Sequence, residues 1–135
     1  NAENFYQKTL DLDPNYYQAY YNRGLLLAQK GKFNEALEQY RRAIGIKPDD
    51  VPTLYEMGKA YEGIKDDESA IEHYTKAITR NPNYDKAYIN LGRLYKSKKL
   101  YEKAIELYKL SLRSNPRSYD ANVSLADTYH AEDVR

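Results

Sequence analysis

The chain has no cysteine, no tryptophan and only two histidines, His73 and His130. Without thiols there can be no disulfides, thiolate nucleophiles or cysteine-type zinc sites, and two well-separated histidines leave little for a histidine-rich metal centre. Charge of one sign is also lacking. The 21 Lys and Arg stand against 20 Asp and Glu, a formal net charge of +1, so no long-range field gathers nucleic acid or an anionic membrane. No apolar run approaches the roughly 18 residues that a membrane span requires. The first residues, Asn1-Ala2-Glu3-Asn4, are not a basic segment leading into an apolar one. There is no glycine-rich phosphate loop, nucleophile elbow or carboxylate pair set in a cleft. The expectation is a soluble, cytoplasmic chain that is not an enzyme, with no cofactor, no metal, no nucleic acid and no membrane partner.

What the chain has in abundance is tyrosine, 16 of its 135 residues against two phenylalanines. Large semi-polar rings must therefore supply much of the packing, in a chain long enough for one ordinary domain. Their placement is periodic. Pro14, Pro48, Pro82 and Pro116 stand 34 residues apart, and only Pro52 falls off this grid. Twelve residues before each proline lie Ala2, Ala36, Ala70 and Ala104; eight before lie Tyr6, Tyr40, Tyr74 and Tyr108. Small residues (Thr9, Ala43, Ala77, Ser111) come five before, and Gly24, Gly58 and Gly92 come 24 before, with Ala126 next in that series.

Each period predicts two helices. In the third, Tyr88, Leu91, Gly92 and Tyr95 fall at i, i+3, i+4 and i+7 within residues 85 to 98, and Ala104, Leu107, Tyr108 and Ser111 repeat the stripe within 101 to 114. Between them sits Lys98-Lys99, where the first period has Lys30-Gly31, a residue able to take positive φ and end a helix. Helices joined so tightly must pack antiparallel. Gly92 and Ala104 allow close backbone approach, Tyr95 and Tyr108 fill the wider parts of the layer, and Pro116 stops the second helix. Pairs of this kind stack, because each leaves an apolar face that only a neighbour covers.

The spacing Tyr88, Leu91, Gly92, Tyr95, Ala104, Tyr108, Pro116 resembles the 34-residue signature of the tetratricopeptide repeat (TPR) family, with tyrosine standing for the signature's Trp and Phe. The second period offers Leu54, Met57, Gly58, Tyr61, Ala70, Tyr74 and Pro82. The first offers Tyr20, Arg23, Gly24, Leu27, Ala36, Tyr40 and Pro48, with Arg23 the clearest departure. The resemblance implies an all-α TPR solenoid, a right-handed superhelix of antiparallel helix pairs. One TPR domain over 1–135 is expected, with three full repeats at 17–50, 51–84 and 85–118. Residues 1–16 then read as the second helix of a preceding repeat and 119–135 as the first helix of a following one. The chain thus reads as a fragment of a longer array. Alternatively, the two half repeats join copies head to tail, a contact that does not close and builds a filament, with Phe5, Leu10, Val123, Leu125 and Tyr129 at the open ends.

The resemblance also implies a function: a non-catalytic scaffold that binds an extended peptide or partner helix in a concave groove lined by the first helices. The second stripe of each first helix supplies the lining. It reads Gln18, Tyr21, Asn22 and Leu25, then Tyr55, Glu56 and Lys59, then Lys86, Ile89, Asn90 and Arg93, and finally Asp127. Asn22 and Asn90 have donor and acceptor for a peptide backbone, and Tyr21, Tyr55 and Ile89 are suited to hold its side chains. The cations Lys86, Arg93 and Lys96 lie between Glu56 and Glu62 on one side and Asp120 and Asp127 on the other, which favours a ligand with an acidic patch between basic ones. The carboxylate clamp of chaperone-binding TPR domains is not expected, since Tyr21, Leu25, Glu56, Lys86 and Asn90 occupy its places and only Lys86 fits. A third alternative is the recruiting arm of a larger enzyme. His73 is expected to be exposed, His130 with Glu132 and Asp133 to be a polar terminus, and Asn122, in a glycosylation sequon, to face the core.

Overall fold

The computed structural model describes residues 16–134. Among them it is all-helical. The helices are α1 (Tyr17–Gln29), α2 (Phe33–Ile46), α3 (Val51–Gly63), α4 (Asp67–Arg80), α5 (Asp85–Ser97), α6 (Tyr101–Ser114) and α7 (Tyr119–Val134). Several starts carry a side chain that meets otherwise unpaired first-turn groups. Before α4 the Asp66 carboxylate accepts the Ser69 N–H at 3.2 Å and its hydroxyl at 2.8 Å. Before α7 the Ser118 hydroxyl accepts the Ala121 N–H at 3.2 Å. Before α3 the buried Asp50 accepts the Thr53 hydroxyl at 2.5 Å.

The ends of α1, α3 and α5 share one geometry. Gly31, Lys65 and Lys99 take φ of 77°, 66° and 63°, so the left-handed turn recurs with the period even where lysine replaces glycine. The following N–H reaches back over the turn each time: Lys32 to the Leu27 carbonyl, Asp66 to Tyr61 and Leu100 to Tyr95, all at 2.9 Å. This six-to-one bond closes a helix in the Schellman manner and reverses the chain into the next helix.

By packing, the chain falls into two compact units, one running to His73 and one beginning at Tyr74. The division lies within α4. In the first unit α1 packs on α2 and α2 on α3, around Leu27, Leu37, Tyr40, Met57 and Ala60. In the second, α5 packs on α6 and α6 on α7, with Tyr88, Leu91, Leu94, Ala104 and Tyr108 buried.

Close approach of a glycine to a ring organises both cores. A Cβ built at Gly24 would stand 2.6 Å from Tyr40 Cδ1, and one at Gly92 would stand 2.5 Å from Tyr108 Cε1. These glycines let the rings lie flat on the facing helix, and both rings are fully buried. The hydroxyls of Tyr40 and Tyr108 are buried with no hydrogen-bond partner among the described residues. Burial, then the charge of Glu56 and the nearby Tyr21, raises the Tyr40 phenol well above its ordinary range. Burial raises that of Tyr108 too, against the opposing pull of Thr128, Arg93 and Ser124. The Ser124 and Thr128 hydroxyls lie near Tyr108 without reaching bonding geometry.

Two sequence expectations change here. His73 is buried, not exposed: its Nδ1 lies 2.8 Å from the Ser69 carbonyl and its ring 4.9 Å from that of Tyr61, so an aromatic neighbour and a carbonyl one turn away shelter it. Asn122 is exposed rather than core-facing, its amide donating to the Ser118 carbonyl at 2.8 Å. Leu125 is half-buried, whereas Phe5 and Leu10 lie outside the described residues.

Two sets of substitutions test this packing. Alanine at Gly24 or Gly92 gains about 1 kcal/mol of helix propensity but overpacks a rigid ring at a cost of roughly 1–3 kcal/mol. Both variants should therefore be destabilised in urea titrations. At Gly45, where an added Cβ meets nothing within 4 Å, the same change should stabilise. For the phenols, the core accepts the neutral form, so the unfolded chain ionises first as pH rises. Their contribution is intact below the ordinary phenol value of 10.0 and is lost as pH climbs above it. Tyr40→Phe should match or exceed the parent at neutral pH, by up to about 1 kcal/mol, and lose less stability at about pH 11.

Candidate functional site

The expected lining begins on α1, where Gln18 is exposed and Tyr21, Asn22 and Leu25 are half-buried. The Gln18 carbonyl oxygen accepts the Tyr16 hydroxyl at 2.8 Å. On α3, Tyr55 is buried, Glu56 half-buried and Lys59 exposed. Between the two helices lies a cavity of about 350 Å³ lined by Leu25, Ala28, Gln29, Phe33, Glu56, Lys59 and Ala60. Three of the expected residues, Leu25, Glu56 and Lys59, thus come together on it. Gln18, Tyr21, Asn22 and Tyr55 are not on its wall.

Tyr21 and Tyr55 have supporting places instead. The Tyr21 ring sits 6.2 Å from that of Tyr40. Tyr55 lies under the Lys59 ammonium, which is 5.4 Å from its ring centre and 3.4 Å from the Glu56 carboxylate. Lys59 is therefore held by a cation–π contact and an ion pair, both at the water's edge, where each is weak.

In the second unit, Lys86, Arg93 and Asp127 are exposed while Ile89 and Asn90 are buried. Asn90 was expected to offer its amide to a ligand, but its N–H donates to the Tyr74 hydroxyl at 3.3 Å and its carbonyl accepts the Arg93 guanidinium. Ile89, expected to touch a ligand's side chain, is 6% exposed. The atoms this stripe turns to solvent are thus the charged ends of Lys86 and Arg93. Arg93 and Asp127 also act in opposite senses on the Tyr108 phenol, the cation lowering it and the acid raising it.

A register not drawn from the sequence links the two units' chemistry. Tyr40, Tyr74 and Tyr108 each reach toward the residue 16 positions later on a first helix: Glu56 by its field, Asn90 by a hydrogen bond and Ser124 by proximity. Sequence reasoning treats these rings as bulk. The signal lay in tyrosine standing wherever the family signature has Phe.

Matches to known proteins fall on the same repeated segment. A family model described as TPR repeat matches residues 24–64, and two described as Tetratricopeptide repeat match 5–38 and 53–117. Human protein O-mannosyl-transferase TMTC2 is 38% identical over 60 residues, 44% of this chain and 7% of that protein, so the likeness spans a small part of it. The crystal structure of MamA superposes with a TM-score of 0.87 at 28% identity, covering 96% of this chain and 76% of that one. The first TPR domain of Spaghetti (RPAP3), bound to the HSP90 peptide SRMEEVD, has a TM-score of 0.82 at 22% identity, over 87% and 93% of the two chains. From its period, its helices and these matches, the chain belongs to the tetratricopeptide repeat family and has the family's all-α solenoid fold.

Proposed function

We propose that these repeats form a non-catalytic protein-interaction scaffold that takes an extended peptide or a partner helix against its first helices. One observation carries the reading: the cavity between α1 and α3, whose apolar walls (Leu25, Ala28, Phe33, Ala60) end in polar groups at Gln29, Glu56 and Lys59. Such a site accepts an apolar stem and fixes it by a few directed polar contacts. The RPAP3 domain shares the fold and was solved with a peptide bound, which supports a peptide as the class of ligand. In the second unit the exposed Lys86 and Arg93 supply attraction for acidic side chains.

A second reading is head-to-tail self-association. Its support is the run of exposed apolar side chains on α7, with Tyr119 77%, Val123 38%, Tyr129 40% and Val134 69% exposed. The complementary half repeat, residues 1–16, lies almost wholly outside the described residues. The recruiting-arm alternative rests on the 60-residue likeness to the mannosyltransferase alone.

Selection from a random dodecamer peptide library, followed by isothermal titration of the enriched peptides, tests the scaffold. Binding is expected at micromolar Kd and should fall at least tenfold in Ala28→Leu, which fills the cavity. Lys86→Ala with Arg93→Ala should weaken acidic peptides by roughly tenfold, an effect that shrinks at high salt. Failure to enrich any peptide, or enrichment insensitive to all three changes, would overturn the reading. Sedimentation velocity across a hundredfold concentration range addresses the second reading: a series of masses abolished by Val123→Asp supports it, and a single monomer throughout excludes it.

A further inference from the structure

We infer that the α1–α3 cavity is a pocket for the basic side chain, lysine or arginine, of the bound peptide, with Glu56 as its acceptor; this rests on the peptide-scaffold reading above. The cavity wall divides by chemistry. Leu25, Ala28, Phe33 and Ala60 present apolar surface, and Glu56 brings a carboxylate to it. A lysine or arginine matches this arrangement in kind, with methylenes to cover the apolar wall and a charged head to meet the acid.

Glu56 is placed to bind rather than to be solvated. Its side chain is 16% exposed, whereas that of its ion partner Lys59 is 49% exposed. The acid is thus set into the protein while the base that neutralises it reaches in from solvent. A pair with one arm in water is held weakly, and Lys59 has a second resting place over the Tyr55 ring, 5.4 Å away. A ligand cation entering from the cavity side can take over Glu56 as Lys59 shifts onto that ring. The field of Glu56 also reaches inward to the Tyr40 phenol, whose buried hydroxyl offers the carboxylate no hydrogen bond. Glu56 therefore keeps acceptor capacity for an incoming donor.

The equivalent position of the second unit shows what a committed residue looks like. Asn90 gives its amide to Tyr74 and its carbonyl to Arg93, and the neighbouring solvent-facing groups are the cations Lys86 and Arg93. A basic side chain is repelled there and attracted at Glu56.

The test uses the library-selected peptides on the full 135-residue chain, with Kd measured for each peptide and for the same peptide carrying norleucine at each Lys or Arg. One basic position is expected to matter, its replacement costing about tenfold. Glu56→Gln should remove that preference, so that the basic peptide and its norleucine counterpart bind with similar Kd. Lys59→Ala should tighten the basic peptide severalfold by removing the competing cation, a gain that misfolding cannot produce. Circular dichroism and thermal melts confirm that both variants are folded. If peptides bind through the cavity but show no basic preference, or if Lys59→Ala weakens them, the cation pocket is overturned and the scaffold stands. If no peptide binds, both readings fall together.

Discussion

The packing of each unit depends on one close approach, a glycine on a first helix against a tyrosine ring on the second. A Cβ at Gly24 or Gly92 would overlap Tyr40 or Tyr108, so the two helices of a pair approach this closely only while glycine faces the aromatic ring. Once the ring lies in that gap it is fully buried, and the positions around it must be small: Ala36 and Ala43 in one unit, Ala104 and Ser111 in the other are all 0% exposed. The left-handed turn at Gly31 and Lys99 then serves the same contact. It reverses the chain within three residues and so fixes which residue of the second helix faces the glycine.

This explains why the fold was legible in the sequence. A close approach between fixed positions leaves a fixed spacing, and the glycine, alanine, tyrosine and proline columns recur at 34 residues because each meets the same steric demand in every repeat. Positive φ was legible at Gly31 and less so at Lys65, since lysine advertises no such conformation. The burial of His73 was not legible, because it depends on the Tyr61 ring of the preceding helix lying against it, beside the Ser69 carbonyl one turn back on its own helix. Nor was the exposure of Asn122, whose amide reaches back to the Ser118 carbonyl just before its helix.

The candidate site was legible as a stripe and not as a set of contacts. Helical periodicity placed Leu25, Glu56 and Lys59 on faces that the structure joins at one cavity. The same periodicity placed Asn90 and Ile89 beside Lys86, and it gave no warning that Asn90 would be spent on Tyr74 and Arg93 or that Ile89 would be buried. The Asn90–Tyr74 bond depends on the hydroxyl of a ring contributed by another helix. A hydroxyl adds nothing to periodicity, because Tyr and Phe fill the same column.

That hydroxyl nevertheless sets the chemistry of the first-helix face. A phenylalanine at the packed ring would leave the facing first-helix residue free of any polar neighbour beneath it. Tyrosine instead puts a dipole there three times, under Glu56, Asn90 and Ser124. The packing column is constant and the facing column is not, so one scaffold contact yields a different polar site in each repeat. Where the facing residue is Asn, hydrogen bonding ties it down. Where it is Glu, the phenol stays neutral and the carboxylate must seek a cation, from Lys59 or from a ligand. Under the proposed scaffold reading, discrimination among ligands resides in the facing column, because changes there alter charge and hydrogen bonding without disturbing the ring on which the helices depend.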